Sequence, residues 1–377
     1  MTPGQGPGGG PVVPRYGSAA LADLPPSVLA ALGVPGADNV LGLPPAARIC
    51  VLIIDGLGEE LLREHAADAP FLSALPGRVL TAGFPASTPT SLASLGTGLP
   101  PGGHGLLGIQ VAVPGTGTLL NCLKWDDSVD PAVFQPAPTA YERAAADGVS
   151  VGYVASRLYR GSGLSVATAR GAAYIPADSL GQLVAQAEVA LREGDRSYVT
   201  VYHPDLDSTG HVYGAGSAAW RYQLQFVDRL AERIAEVLPP GAALYVTADH
   251  GMVNPTDRVD ADEVEALRTG VAQLGGDARA RYVYAEPGAA EEVLAAWRET
   301  VGDRAWVRSR DEAVAEGWFG PVAPGMLHRI GDVVAVPHGD MAIVASRREP
   351  VVTRLVGMHG SLIPREQLVP LISDHRL

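Results

Sequence analysis

Four short runs of the chain are almost wholly apolar: RICVLII over 48–54, VSVGYV over 149–154, SYVTVY over 197–202 and ALYVTA over 243–248. Runs of this length with little polar alternation suit strands covered on both faces, as in a parallel sheet between layers of helices. Between them, apolar positions recur at helical spacing. Helices are predicted over 57–64, 91–96, 138–146, 179–193 and 218–238, the last through YQLQFVDRLAERIAEVL. This alternation predicts an α/β fold in which a mostly parallel sheet is flanked by helices.

The texture changes between 257 and 345. Residues 281–284 (RYVY) and 304–308 predict strands, and 288–302 and 310–316 predict helices, which together make a compact βαβα segment. We expect 257–345 to be a small α+β cap inserted into a core built from 18–256 and 346–377. The apolar run MAIVAS over 341–346 is expected to bring the chain back to the main sheet. Residues 1–17 (MTPGQGPGGGPVVPRYG) are dense in glycine and proline and predict a flexible tail.

Composition narrows the function classes. Of 377 residues, 47% are hydrophobic, enough for a large core and too many for a disordered chain. Acidic residues outnumber basic ones by 41 to 28, for a net charge of −13. Polymeric nucleic acid and anionic membranes are therefore not expected partners, because binding to them draws on basic patches. An anionic small molecule would need its charge met locally, by a metal or a few cationic side chains. The two cysteines, Cys50 and Cys122, imply no disulfide framework. No basic stretch followed by an apolar one opens the chain, and no run approaches the roughly 20 apolar residues that span a bilayer, so a cytoplasmic protein is expected.

In open parallel sheets, ligands bind beyond the carboxyl ends of the strands. Four segments put metal-ligating residue types at such places. Asp55 directly follows ICVLII, where an innocent Asp-Gly turn is the competing reading. Asp207 and His211 stand four apart in DSTGH shortly after SYVTVY; Asp207 could equally be a helix cap, and Asp205 is a rival carboxylate. Asp249 and His250 follow ALYVTA at once, and His359 lies in the late MHG. Three aspartates and three histidines suit zinc or manganese, and they are too many for one closed tetrahedral site. Two metals about 4 Å apart would use them all, the arrangement that clamps attacking and leaving oxygens in phosphoryl transfer. A nucleophile is expected in FPASTPTSLASLGTG (84–98), a hydroxyl-rich loop running into a helix, although a plain Ser/Thr cap has the same composition.

Taken in order, Asp-Gly after the first strand, the FP…T…TGLPPGGHG block, DSTGH, VTADHGM and the late MHG resemble the type I phosphodiesterases and nucleotide pyrophosphatases of the alkaline phosphatase superfamily, over residues 48–362. The resemblance implies an alkaline-phosphatase-like core, two divalent metal ions (Mn2+ or Zn2+) and a covalent threonine intermediate. It puts the nucleophile on Thr88, with Thr90 and Ser87 as rivals. One metal would be held by Asp207, His211 and His359, and the other by Asp55, Asp249 and His250, with the Thr88 oxygen reaching it.

Two departures from the family pattern concern the substrate. Pro89 stands where eukaryotic-type members carry an aromatic residue that helps stack a base, and Ile109 stands where a phosphate-binding asparagine is expected. Gln110 or Asn121 could supply the amide, and Lys124, the only lysine, could meet a phosphate. LGTGLPPGGHGLLG and GWFGP most resemble the actinobacterial cyclic di-AMP phosphodiesterases, which implies a cytoplasmic, manganese-dependent enzyme converting cyclic di-AMP to pApA and AMP. A nucleotide pyrophosphatase, a phosphomonoesterase, a phosphonoacetate-type hydrolase and a non-catalytic nucleotide-binding protein remain as alternatives.

Overall fold

A computed structural model of the chain describes residues 10–376. In chain order its strands are β1 (Arg48–Ile54), β2 (Gly77–Thr81), β3 (Gln110–Val113), β4 (Thr118–Asn121), β5 (Ser150–Ala155), β6 (Ala173–Pro176), β7 (Ser197–His203) and β8 (Ala242–Thr247). They continue as β9 (Asp257–Asp260), β10 (Val271–Asp277), β11 (Ala280–Ala285), β12 (Ala305–Ser309), β13 (Val333–Pro337), β14 (Met341–Val344) and β15 (Leu368–His375).

The main sheet has the order β2-β15-β8-β1-β7-β5-β6. β8, β1, β7, β5 and β6 pair in parallel, and β15 alone is reversed, antiparallel to both β8 and β2. The four apolar runs occupy its centre: every residue of β7 and β8 is buried, and in β1 only Arg48 is not. Helices cover both faces, among them Leu180–Leu191 and the 20-residue Ala218–Val237. The expected α/β architecture, a mixed but mostly parallel sheet flanked by helices, is the one observed.

Three expectations need correction. MAIVAS does not return to the main sheet: β14 pairs in parallel with β9 in a separate two-stranded ribbon, and β15 makes the return. β15 is an antiparallel strand interrupted by Pro370, so it lacks the unbroken apolar run that betrays a buried parallel strand. The cap is not confined to 257–345. Its six-stranded sheet, β12-β13-β11-β10-β3-β4, recruits the β3–β4 hairpin from residues 110–121, joined where Gly276 faces Gln110.

The tail is the third. Val12 N–H donates to the Leu362 carbonyl at 2.8 Å, Arg15 to the Val79 carbonyl at 2.7 Å, and Tyr16 O–H to the Trp318 carbonyl at 2.9 Å. Residues 12–16 are thus tied to β2 and to the segments at Trp318 and Leu362, and residues 1–9 lie outside the described ones. Among the described residues, no helix is long and apolar enough to cross a membrane.

Candidate metal centre

β7, β1 and β8 are parallel neighbours, so their carboxyl ends open onto one edge of the sheet. Asp55 follows the last residue of β1, and Asp249 and His250 lie just beyond β8. The Asp205–Tyr213 helix after β7 puts Asp207 and His211 one turn apart on one face. His359 arrives from a late loop held by the Val253–Met358 bridge, and Thr88 opens the Thr88–Thr97 helix. Gly56 permits the convergence: at φ +78°, any Cβ there would lie 3.0 Å from the Asp207 backbone.

The six residues form two sets, Asp207 with His211 and His359, and Asp55 with Asp249 and His250; within each set the donor atoms lie within 4.8 Å of one another. His211 Nε2 is 3.1 Å from Asp207 Oδ2, and His359 Nε2 is 3.9 Å from Asp207 Oδ1. His250 Nε2 is 3.5 Å from Asp55 Oδ1, 3.4 Å from Asp249 Oδ2 and 3.2 Å from Thr88 Oγ1. Each histidine points its Nδ1 at a backbone carbonyl: Gly357 for His211, Ala86 for His359 and Gly251 for His250, at 2.8, 2.8 and 3.0 Å. Donation from Nδ1–H fixes the tautomer and leaves every Nε2 lone pair aimed inward, as metal-ligating imidazoles require.

Electrostatics reinforce this picture. Burial, then the neighbouring Asp249 and Asp207, pushes the Asp55 carboxyl well above its usual range. Burial also acts upward on Asp207, but His211, His359 and His250 outweigh it and hold that carboxyl low. Burial and then the adjacent His250 push His359 well below the imidazole range, whereas Asp207 overcomes burial at His211 and raises it to about 8. Asp55 Oδ1, Asp207 Oδ1 and Asp249 Oδ2 are buried with no hydrogen-bond partner. Three such oxygens beside inward-facing imidazole nitrogens are costly unless a cation meets them. The donor set therefore fits a pair of divalent cations.

A cavity of about 470 Å³ opens over these groups, lined by Asp55, Thr88, Asp207, His211 and His359. Leu92, Ile109, Tyr153, Tyr159 and Tyr202 give the lining an apolar and aromatic share beside the hydroxyls of Ser162, Ser165, Thr168 and Ser208, and among the described residues no lysine or arginine lines it. The other sequence-derived substrate residues point elsewhere. Gln110 donates its amide to Glu349 Oε1 at 2.5 Å, and Asn121 Oδ1 accepts the Leu123 and Lys124 N–H groups in a turn. Lys124 is exposed and does not line the cavity, although its neighbour Leu123 does. The rivals Thr90 and Ser87 are wholly buried, and neither lines the cavity.

Sequence reasoning missed Tyr202, whose hydroxyl donates to Asp55 Oδ2 and orients that carboxylate. The available signal was a tyrosine inside a strand buried on both faces, whose hydroxyl must find a partner. It also missed Ser91, which holds the Asp249–His250 turn by donating to the Asp249 carbonyl at 2.7 Å.

Comparison with known proteins shows the fold and the family. Murine ectonucleotide pyrophosphatase/phosphodiesterase 5 superposes with a TM-score of 0.69 at 19% identity, over 86% of this chain and 87% of that one. An inactive form of the same protein in complex with AMP superposes with a TM-score of 0.68 at 18% identity, over 86% and 87%. Phosphonoacetate hydrolase from Sinorhizobium meliloti 1021, in complex with phosphonoformate, gives 0.65 at 22% identity over 88% of this chain and 91% of its own. At these identities the likeness is one of fold. No curated protein matches in sequence. The family model for type I phosphodiesterase/nucleotide pyrophosphatase matches residues 49–362, which span all six residues of the two donor sets and Thr88. The chain belongs to the type I phosphodiesterase/nucleotide pyrophosphatase family, enzymes that hydrolyse phosphodiester or pyrophosphate bonds with the help of metal ions.

Proposed function

We propose that the protein is a nucleotide phosphodiesterase that acts through a covalent phospho-threonine intermediate on Thr88, with cyclic di-AMP as substrate and pApA and then AMP as products. One observation carries this reading: a single cavity holds Thr88, ligands of both donor sets and an aromatic wall free of lysine and arginine. Such a wall suits nucleobases and ribose. It offers no cation to the carboxylate of a phosphonoacetate-type substrate, which ranks that alternative lower.

Asp207, His211 and His359 would hold one metal ion, and Asp55, Asp249 and His250 the other. Bound there, the ions, Mn2+ or Zn2+, would supply positive charge for the phosphoryl oxygens and lower the pKa of a nearby alcohol or water. The chain's own groups do the rest. Thr88 Oγ1 attacks phosphorus and displaces the nucleoside oxygen; the resulting Thr88 ester is then hydrolysed, which restores the hydroxyl. Tyr202 steadies Asp55 through its hydrogen bond, and the three backbone carbonyls hold the imidazoles in register. Tyr153, Tyr159 and Leu92 exclude water from the base side. A cytoplasmic location, where a cyclic dinucleotide messenger would be met, belongs to the same reading.

A product panel tests it. With manganese added, cyclic di-AMP should be consumed with pApA and AMP accumulating, faster than a nucleotide pyrophosphate, an aryl monoester or phosphonoacetate. Preferential turnover of one of the last three would replace the substrate assignment, and saturable binding without product would reject catalysis.

A further inference from the structure

Most of the hydroxyl hydrogens that line the cavity are already committed to the protein. Thr168 donates to the Leu164 carbonyl at 2.8 Å, Ser165 to the Tyr159 carbonyl at 2.7 Å and Ser162 to the Ser165 hydroxyl at 3.1 Å. Tyr202 donates to Asp55. No lysine or arginine among the described residues lines the cavity, and the side chains of Leu92, Ile109 and Leu123 offer only hydrocarbon. Thr88 Oγ1 is 3.2 Å from His250 Nε2. That leaves Tyr153, Tyr159 and Ser208, whose hydroxyls line the cavity and make no hydrogen bond among the described residues.

Of these three, Tyr159 is set over the metal centre. Its ring stands edgewise to Tyr202, the residue that holds Asp55, with centroids 6.1 Å apart and planes at 64°. Burial, then Asp55, Asp205 and Asp207, pushes its phenol above the usual range. Asp55 and Asp207 belong to different donor sets, so this hydroxyl lies close to both. At Tyr153, burial, Tyr141 and Tyr174 act ahead of Asp55 and Asp249, which belong to one set. A phenol that keeps its proton is a hydrogen-bond donor at neutral pH.

The backbone that carries Tyr159 is fixed without any ligand. Asp178 accepts the Arg157 N–H at 2.9 Å, the Ser156 hydroxyl at 3.0 Å and the Arg157 guanidinium. The Ser156 carbonyl accepts the Tyr174 hydroxyl at 2.5 Å and the Tyr159 N–H at 3.1 Å. A donor held in place beforehand pays little to engage its acceptor.

We propose that Tyr159 is a catalytic residue that donates its phenolic hydrogen bond to a non-bridging phosphoryl oxygen of the diester, in a cavity that has no cationic side chain to do so. This rests on the reading of the cavity as a phosphodiesterase site. A neutral donor suits that place, because it brings no charge to repel two divalent cations.

The Y159F variant keeps the ring and removes only the hydroxyl. With manganese added, its kcat/KM for a nucleotide diester should fall about tenfold, the loss expected for one hydrogen bond to a charged group. Metal content and thermal midpoint should match the wild type. Phosphorothioate diesters then separate contact with the phosphoryl group from a structural role, since sulfur in the contacted position weakens the bond beforehand. The Y159F loss should persist for one diastereomer and shrink to about twofold for the other. Y153F and S208A should show no such split. A fully active Y159F, an equal loss for both diastereomers, loss of bound metal in Y159F, or a split in Y153F or S208A instead overturns the proposal. Absence of diester turnover in the wild type, or full activity in T88A, would remove the reading beneath it, and both show before any phosphorothioate is measured.

Discussion

His250 and His359 stack face to face, with ring centroids 3.6 Å apart and planes 14° from parallel, although they belong to different donor sets. The two sets therefore share an imidazole wall. A residue lost from one should disturb the other less than it disturbs its own. His359→Ala should lower bound metal from two equivalents per chain to about one, measured by elemental analysis after dialysis. Retention of both equivalents would mean that the late histidine is no ligand.

Removing all metal should also destabilise the fold. Chelation leaves three partnerless carboxylate oxygens inside the site. Where free metal stands about 100-fold above its dissociation constant, its loss costs about 2.7 kcal/mol, so the thermal midpoint should fall on chelation and recover with manganese. An unchanged midpoint would contradict the two-ion site.

Tight packing behind Thr88 gives a sharper mutational test. A Cβ on Gly96 would come within 2.0 Å of the Thr168 carbonyl oxygen, because the Thr88–Thr97 and Gly163–Ala169 helices cross there. Gly96→Ala should cost several kcal/mol, roughly the upper range for overpacking, and lower activity with it. In urea titrations, a midpoint equal to the wild type would show that the helices can part freely.

His104 predicts a pH dependence. It is buried, its Nδ1 accepts the Leu106 N–H at 3.1 Å, and its Nε2 is 3.0 Å from the Ser94 hydroxyl. Burial, helped by Arg329, pushes its pKa down to about 3. The unfolded chain takes up a proton near pH 6.5 that the folded chain refuses. This contribution to stability is complete above pH 6.5 and is lost as pH falls toward 3, at up to about 1.4 kcal/mol per pH unit. His104→Gln should flatten the slope of unfolding free energy between pH 6 and about 4 relative to the wild type; equal slopes would contradict the assignment.

The cap is fastened to the core by two buried ion pairs, Arg279 with Glu366 and Arg281 with Glu349. Glu366 also accepts the Ser361 N–H at 2.8 Å, two residues past His359. Glu366→Gln should therefore cost about 3–5 kcal/mol and weaken metal binding as well, since a buried guanidinium loses its counter-charge. A variant with wild-type stability and metal affinity would dissociate the cap contact from the site.

What the sequence shows of this molecule follows from how each feature is built. β1, β7 and β8 are buried on both faces and announce themselves as unbroken apolar runs, and ligands at their carboxyl ends follow from chain order alone. Asp55, Asp249 and His250 were legible for that reason, and Asp207 with His211 from their helical spacing. β2, β6 and β15 lie toward the edges or run antiparallel, carry polar residues or Pro370, and leave no such trace. The contact of Gln110 with Glu349 depends on β3 joining the cap sheet, a pairing with β10 across more than a hundred residues that no local pattern encodes.

The covalent step proposed for Thr88 is what most needs a direct measurement. Wild-type protein mixed with manganese and a nucleotide diester, quenched in acid within one turnover and digested, should yield the 84–98 peptide carrying a phosphoryl or nucleotidyl ester on Thr88, absent from T88A. An unmodified Thr88 with full product formation, or an ester on Thr90 or Ser87, would contradict the account.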